Sequence, residues 1–165
     1  MKNDILFSET QKFRQLWVWL LIVSVNILIG YGIVDQMASV NANIKNEFNP
    51  FLGIGLILIF DLFFFVLRLE TQIKKDGIYV RFFPLHLKAR YYSWELISES
   101  YTREYKPVQE YGGWGIKYNF TGKGKAYNVS GNKGLQIELK TGKKILIGTN
   151  KFEELSILMG NLKKN

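Results

Sequence analysis

Two long apolar runs dominate the first 68 residues of the chain. Residues 16–34 hold no charged side chain and would form a helix about 28 Å long at 1.5 Å per residue, enough for a hydrocarbon core of about 30 Å. Residues 51–67 form a second run, which follows Asn49-Pro50, a typical helix start, and holds one charge at Asp61. Because apolar residues cover every face of both runs, the pattern predicts a transmembrane helical hairpin rather than two core helices.

From residue 69 the period of the pattern changes to two, which is typical of strands. Residues 69–73 alternate apolar and polar side chains, and Asp76-Gly77 then predicts a turn into a second strand. The clearest hairpin is centred on Thr141-Gly142, and residues 152–162 return to helical spacing. We expect six or seven strands and one amphipathic C-terminal helix, the outline of a small barrel plugged by a helix. Weaker strands are expected around three segments: residues 88–92, 98–105 and 115–120.

These patterns divide the chain into five predicted segments. In chain order they are a cytoplasmic N-terminal segment (residues 1–15), a membrane helix (16–34), an external loop (35–50), a second membrane helix (51–68) and a cytoplasmic β-rich domain (69–165).

The cations predict the orientation, because cytoplasmic flanks of membrane helices are enriched in Lys and Arg. Lys45 is the single cation of the loop, whereas the two outer flanks hold eight: Lys2, Lys12, Arg14, Arg68, Lys74, Lys75, Arg81 and Lys88. We therefore expect a multi-pass protein of the cell (inner) membrane with both termini in the cytoplasm. The alternative is a signal peptide cleaved at residues 40–42, but its apolar run would exceed the usual 7–15 residues.

A family resemblance adds to this reading. The chain resembles a family of bacterial membrane proteins that join a helical hairpin to a domain similar to bacterial pleckstrin-homology (PH) domains. The segments that carry the resemblance are residues 112–116 (GGWGI), 126–131 (AYNVSG), 134–137 (GLQI) and 147–149 (IGT). The resemblance implies a bent antiparallel barrel of about seven strands with a C-terminal capping helix. It implies no enzyme activity and names no ligand.

Charge is distributed unevenly along the chain. The net charge is +8, and the first 68 residues hold as many anions as cations, so the whole excess lies in residues 69–165. This asymmetry suggests an anionic partner. Lipid headgroups are the expected one, since about 1 kcal/mol per nearby cation suffices and a nucleic acid is not needed. The candidate contacts to the anionic surface are Arg68, Lys74, Lys75, Arg81, Lys88 and Arg90.

Asp61 and Asn26 form a candidate polar pair. Each lies near the middle of its apolar run, at similar depth in an antiparallel pair of helices. A charged residue there costs about 2.5–3.5 kcal/mol on insertion scales, and an interhelical hydrogen bond would reduce that cost. We interpret the pair as holding the helices together. A proton or ion relay at Asp61 is the alternative.

Catalytic constellations are not apparent in the sequence. The chain has no cysteine and a single histidine, His86, which argues against thiol chemistry, metal clusters and serine–histidine hydrolysis. Its glycines match neither the phosphate-loop nor the dinucleotide-binding spacing. We therefore predict a non-enzymatic, cofactor-free, membrane-tethered module for protein assembly or signalling. Its protein partner or second copy would contact Trp114 and Tyr127. The alternatives are an anionic-lipid-binding domain and an accessory subunit for transport or catalysis built on Asp61.

Overall fold

The computed structural model describes residues 5–39, 50–119, 122 and 124–162. The chain has an α+β fold with two sheets and a C-terminal helix. It divides into two compact units. The helical unit is Phe13–Val66, and the β-rich unit combines Met1–Lys12 with Leu67–Asn165. Residues 40–49 lie outside the described residues. They include most of the predicted external loop and all of the possible signal-cleavage site at residues 40–42.

The helical unit contains two apolar helices, α1 (Leu16–Ser39) and α2 (Pro50–Val66). Among the described residues one helical stretch, Leu16–Ala38, is both long and apolar enough to cross a membrane, with a mean hydropathy of 2.1 over its most apolar window. The 17 residues of α2 rise about 25 Å. Both predicted boundaries need correction. The first helix continues through residues 35–39. The second helix ends at Val66, because from Arg68 onward the backbone forms the hydrogen bonds of a β-strand.

The first sheet is antiparallel with four strands in chain order: β1 (Ile5–Lys12), β2 (Arg68–Lys74), β3 (Gly77–Phe83) and β4 (Arg90–Ser93). The alternation along β2 and β3 buries one face of each strand, as their sequence pattern predicts.

Strand β1 corrects the predicted N-terminal segment at residues 1–15. Residues 5–12 pair with β2 along its length, and Phe7, Glu9 and Gln11 are buried. The sequence pattern conceals this strand because two of its three buried positions are polar. Each of these two polar side chains makes a hydrogen bond: the Gln11 amide nitrogen donates to the Gly148 carbonyl at 2.7 Å, and Glu9 accepts from Thr149.

The second sheet has five strands in the order β5-β8-β9-β7-β6. Strands β7 and β9 run parallel, whereas the other neighbours run antiparallel. The strands are β5 (Ile97–Glu104), β6 (Gly115–Asn119), β7 (Gly124–Asn128), β8 (Lys133–Leu139) and β9 (Lys144–Gly148).

These two sheets replace the predicted single antiparallel barrel of about seven strands. Nine strands occur in the described residues, and neither sheet closes on itself. The pairing of β9 with β7 explains the difference, because β8 and β9 form a local hairpin whose free edge then accepts a strand from earlier in the chain. The glycine-rich stretch that contains β7 gives little strand signal in sequence.

A 3-10 helix (Trp94–Leu96) and two α-helices, α3 (Pro107–Tyr111) and α4 (Phe152–Leu162), complete the described part of the β-rich unit. The C-terminal helix α4 buries Leu155 and Met159, and its Ser156 hydroxyl lies 2.7 Å from that of Thr102 on β5. The core of the unit is formed by fully buried side chains from both sheets and from α4: Leu69, Ile73, Ile78, Val80, Phe82, Tyr127, Val129, Leu135, Ile137, Leu146, Ile147 and Leu155.

Candidate functional site

Two of the six predicted surface cations are paired with one carboxylate. Glu70 is bound by Arg68 on its own strand, β2, and by Arg81 opposite it on β3, with nitrogen–oxygen distances of 2.6 Å and 2.7 Å. Partial burial works against ionisation of Glu70, but the hydrogen bonds from the two guanidinium groups outweigh it and lower the pKa of this carboxyl. Because Glu70 offsets part of their charge, these arginines attract an external anion less strongly than their sequence positions suggest.

The other four cations lie at two turns of the first sheet. The Lys74 ammonium lies 4.5 Å from the centre of the Tyr79 ring, and Lys75 follows it in the β2–β3 turn. Lys88 and Arg90 are exposed at the end of the β3–β4 connection. The structure therefore distributes the predicted set over three places and does not form one cluster from it.

The β3–β4 connection, residues 84–89, presents apolar side chains to solvent. Leu85 is 56% exposed and Leu87 is 76% exposed. His86 between them points the other way, with its ring 5.7 Å from that of Tyr127. We call residues 84–89 the leucine loop. It combines two exposed leucines with the cation Lys88, and Arg90 follows it as the first residue of β4.

Beside the leucine loop the β-rich unit has a cavity of about 670 Å³, within the usual range for ligand sites. Strands β4, β6, β7 and β9 and the β8–β9 turn supply its walls. None of its described lining residues is acidic. We call it the Lys125 cavity, and its polar lining residues are Arg90, Tyr92, Tyr118, Asn119, Lys125, Tyr127, Lys143 and Lys144.

Lys125 is held between two aromatic rings of this cavity. Its ammonium lies 4.6 Å from the ring centre of Tyr118 and 4.5 Å from that of Tyr127. Such cation–π contacts hold the ammonium in place without neutralising it. Lys144, by contrast, is paired with the Glu138 carboxylate at 3.0 Å. Among the described residues no carboxylate is paired with Lys125, so it is a positioned positive charge.

The titrating groups beside Lys125 respond to this charge. A hydrogen bond from Lys125, with a contribution from Arg90, lowers the pKa of the Tyr118 phenol. Burial, together with the charges of Arg90 and Lys125, lowers the pKa of the His86 imidazole. Both shifts have the sign expected where positive charge is concentrated.

The predicted partner surface is wrong for one of its two residues. Tyr127 is fully buried, with an exposed fraction of 0%, as are its neighbours Ala126 and Asn128, because β7 lies between β9 and β6 inside the second sheet. Trp114 is half-buried, and its indole nitrogen donates to the Gly131 carbonyl at 3.0 Å. Asn128, the buried neighbour of Tyr127, accepts a hydrogen bond from the backbone N–H of Gly115, the neighbour of Trp114, and donates one to the Tyr105 hydroxyl. These conspicuous motif residues join strands of the second sheet.

The structure brings Asn26 and Asp61 together in the helical unit. The Asn26 amide nitrogen lies 3.1 Å and 3.0 Å from the two carboxylate oxygens of Asp61. The surrounding side chains of α1 and α2 are apolar, including Ile29, Leu56 and Phe60.

Comparison with protein-family models, curated proteins and solved structures found no match. The resemblance to PH-like membrane proteins therefore stays a prediction. The candidate site rests on the geometry of this chain alone.

Sequence reasoning missed most of the Lys125 cavity. It named Arg90 but not Lys125, Lys143 or Lys144, since Lys125 lies in the glycine-rich stretch and the pair at 143–144 follows a turn. The available signal was the adjacent pair of lysines at a predicted hairpin.

In the part of the chain that is described, no group of three His, Asp or Glu side chains is arranged to hold a metal ion.

Proposed function

We propose that the chain is a non-catalytic, membrane-anchored module whose β-rich unit binds the anionic surface of the membrane that holds it. In this proposal α1 and α2 cross the membrane as a hairpin, and the β-rich unit lies on the cytoplasmic side. The proposal has three parts, which are the anchor, the orientation and the surface contact.

Chain connectivity supports the hairpin. Strand β1 ends at Lys12, shortly before α1, and β2 begins at Arg68, shortly after α2. These two residues are Cα partners in one antiparallel ladder, so the helical unit begins and ends at neighbouring points of one sheet. If α1 crosses a membrane, α2 must return across it to satisfy this pairing. The about 25 Å of α2 then crosses with modest local thinning of the bilayer.

The cation bias supports the orientation. Eight cations flank the outer ends of the two helices, and Lys45 alone lies between them. Cytoplasmic placement of the flanks follows from the positive-inside rule.

The leucine loop carries the proposal of a surface contact. Exposed leucines next to lysine and arginine are the combination that binds an interface of lipid headgroups, because the apolar side chains enter the headgroup boundary while the cations attract anionic lipid. The anchor holds the β-rich unit near the bilayer, so weak intrinsic affinity suffices. This observation favours lipid contact over the protein-assembly role predicted from sequence. One of the two residues predicted to contact a protein partner, Tyr127, is buried and not exposed to a partner.

The surface contact is tested with a single fluorescent label on the full chain. The chain has no cysteine, so Leu87→Cys gives one site for an environment-sensitive dye. In nanodiscs that contain anionic lipid, we expect the emission of the dye at position 87 to shift to the blue. Added salt should reverse the shift, because it screens the headgroup attraction over about 10 Å.

Val108→Cys is the matched control, because Val108 is 64% exposed on α3 of the same unit. The dye at position 108 should emit at the same wavelength in anionic and neutral nanodiscs. Equal emission from positions 87 and 108 in anionic nanodiscs would contradict the proposed contact.

The Asn26–Asp61 pair gives a separate prediction for the anchor. Asp61→Asn should be nearly neutral for helix association, since an amide oxygen still accepts from Asn26. Asp61→Leu should weaken association by ~0.6–2 kcal/mol, as it leaves the Asn26 amide unpaired in an apolar setting. The combined Asn26→Leu and Asp61→Leu variant should recover much of that loss. Stability of the full chain in detergent measures all three.

A proton or ion relay predicts the reverse order, because an amide cannot titrate. Loss of biological activity in Asp61→Asn at normal abundance and normal detergent stability would support the relay and contradict the structural role.

A further inference from the structure

We propose that the Lys125 cavity binds a phosphate monoester, as a specific site beside the leucine loop. The inference deepens the proposed function and rests on it only for the source of the ligand, which is a lipid headgroup if the loop contacts the membrane. A soluble phosphate monoester has the same chemistry and is the other source.

The charges of the cavity favour a multivalent anion. Arg90, Lys125 and Lys143 line it, and none of its described lining residues is acidic. In the part of the chain that is described, the carboxylate paired with a lining cation is that of Glu138, which is bound to Lys144 and also accepts from the Tyr101 hydroxyl. Three cations therefore remain for a ligand. A phosphate monoester carries about −1.5 to −2 at neutral pH, more than a carboxylate or a phosphodiester.

The shapes of the donors also fit phosphate. Lys125 is held at a fixed point between two rings, as a positioned point charge, whereas Arg90 contributes a planar group with several donors. Lys143 is exposed at the rim and can close over a bound anion. Burial and the neighbouring Tyr92 raise the pKa of Tyr127, so its phenol stays neutral and brings no negative charge to the site.

The size of the cavity fits more than a bare ion. At about 670 Å³ it exceeds the volume of one phosphate group, and the accessible rings of Tyr92 and Tyr118 can pack against the carbon skeleton that carries the phosphate. His86 connects this cavity to the leucine loop, because its ring lies against Tyr127 while its two neighbours point to solvent. A headgroup could thus occupy the cavity while Leu85 and Leu87 contact the bilayer interface.

His86 also provides the measurement, since it is the only histidine of the chain. Full-length protein carrying a histidine-free purification tag is reconstituted in nanodiscs, and NMR of the labelled imidazole gives its pKa. An anion in the cavity stabilises the imidazolium form, so we expect the pKa of His86 to rise by about one unit when the site is filled. One arm adds glycerol 3-phosphate to neutral nanodiscs. The other compares phosphatidic acid, a monoester, with phosphatidylglycerol, a diester, at equal surface charge.

Three variants separate the site from general surface charge. Lys125→Met should abolish the ligand-induced rise, Lys143→Met on the exposed rim should reduce it without endangering the fold, and Lys125→Arg should retain it. Lys106→Met is the control, because Lys106 is exposed at the start of α3 and outside the cavity.

Each outcome decides something. A rise with phosphatidic acid but not with phosphatidylglycerol supports a monoester headgroup site, and a rise with glycerol 3-phosphate alone supports the site with a soluble ligand. Equal rises with both lipids, or a rise that persists in Lys125→Met, would reduce the effect to general surface charge and overturn the proposal. So would no rise in any arm. The label at position 87 reports the membrane contact independently, so failure of the cavity and failure of the proposed function are distinguishable.

Discussion

Gly124→Ala should destabilise the β-rich unit by about 3 kcal/mol or more, whereas Gly142→Ala should cost only about 1 kcal/mol. Both glycines have nearly the same left-handed backbone, with φ of +77° and +79°, so both substitutions carry the same conformational strain. They differ in the space around an added methyl group. At Gly124 the methyl would collide with the Lys144 carbonyl oxygen of the parallel strand β9, whereas nothing lies within 4 Å at Gly142.

Amide hydrogen exchange of the full chain in nanodiscs localises the damage. In Gly124→Ala we expect faster exchange in β7 and β9, whose pairing at Lys125 and Ile145 adjoins the collision, with little change in β2 and β3. Gly124 also lines the Lys125 cavity, so the same variant should reduce phosphate binding. Equal stability of the two alanine variants would contradict the close approach of β7 to β9.

The parallel pairing of β7 with β9 could not be predicted from the sequence. Both predicted hairpins are present, since each depends on local alternation, but residues 75–76 form the first turn, one residue earlier than predicted, and four residues, 140–143, form the second. The pairing of β7 with β9 depends instead on contacts between distant segments, and glycine-rich β7 lacks the apolar period that marks a strand. Local patterns therefore predicted strands and turns but not the division into two sheets.

The candidate site divides in the same way. Asn26 and Asp61 could be matched from sequence because each lies near the middle of its apolar run and the two runs are of similar length, and the structure joins them by hydrogen bonds. The Lys125 cavity could not be matched. Arg90, Lys125 and Lys143 come from three separate segments, and only the folded sheets bring them to one cavity.

Glu9 is a buried carboxylate with a structural role. It lies on β1 with an exposed fraction of only 6%. One carboxylate oxygen accepts from the Thr149 hydroxyl at 2.6 Å, and the other accepts from Asn150 N at 2.8 Å. Thr149 in turn accepts from Lys151 N, immediately before α4. Glu9 thereby fixes the N-terminal strand to the start of the C-terminal helix.

Glu9→Leu should therefore destabilise the β-rich unit by about 2–3 kcal/mol, because it leaves the buried Thr149 hydroxyl and the partly buried Asn150 N–H without an acceptor, at a cost of about 1–3 kcal/mol for a fully buried donor. Glu9→Gln should cost less, since its single amide oxygen can still accept one of the two hydrogen bonds. Thr10→Leu is the matched control on the neighbouring, exposed position of β1 and should change stability by less than about 0.5 kcal/mol.

Chemical unfolding of the full chain in nanodiscs measures the loss, and hydrogen exchange shows where it acts. In Glu9→Leu we expect the amides of β1 and of the first turn of α4 to lose protection together, since one carboxylate joins them. Loss of protection in β1 alone would mean that pairing with β2 holds the strand and that the link to α4 is incidental. Joint loss would establish that residues before the first helix complete the unit that follows the second. The hairpin connectivity behind the proposed membrane anchor depends on that closure, because a detached β1 would no longer require α2 to return to the same side.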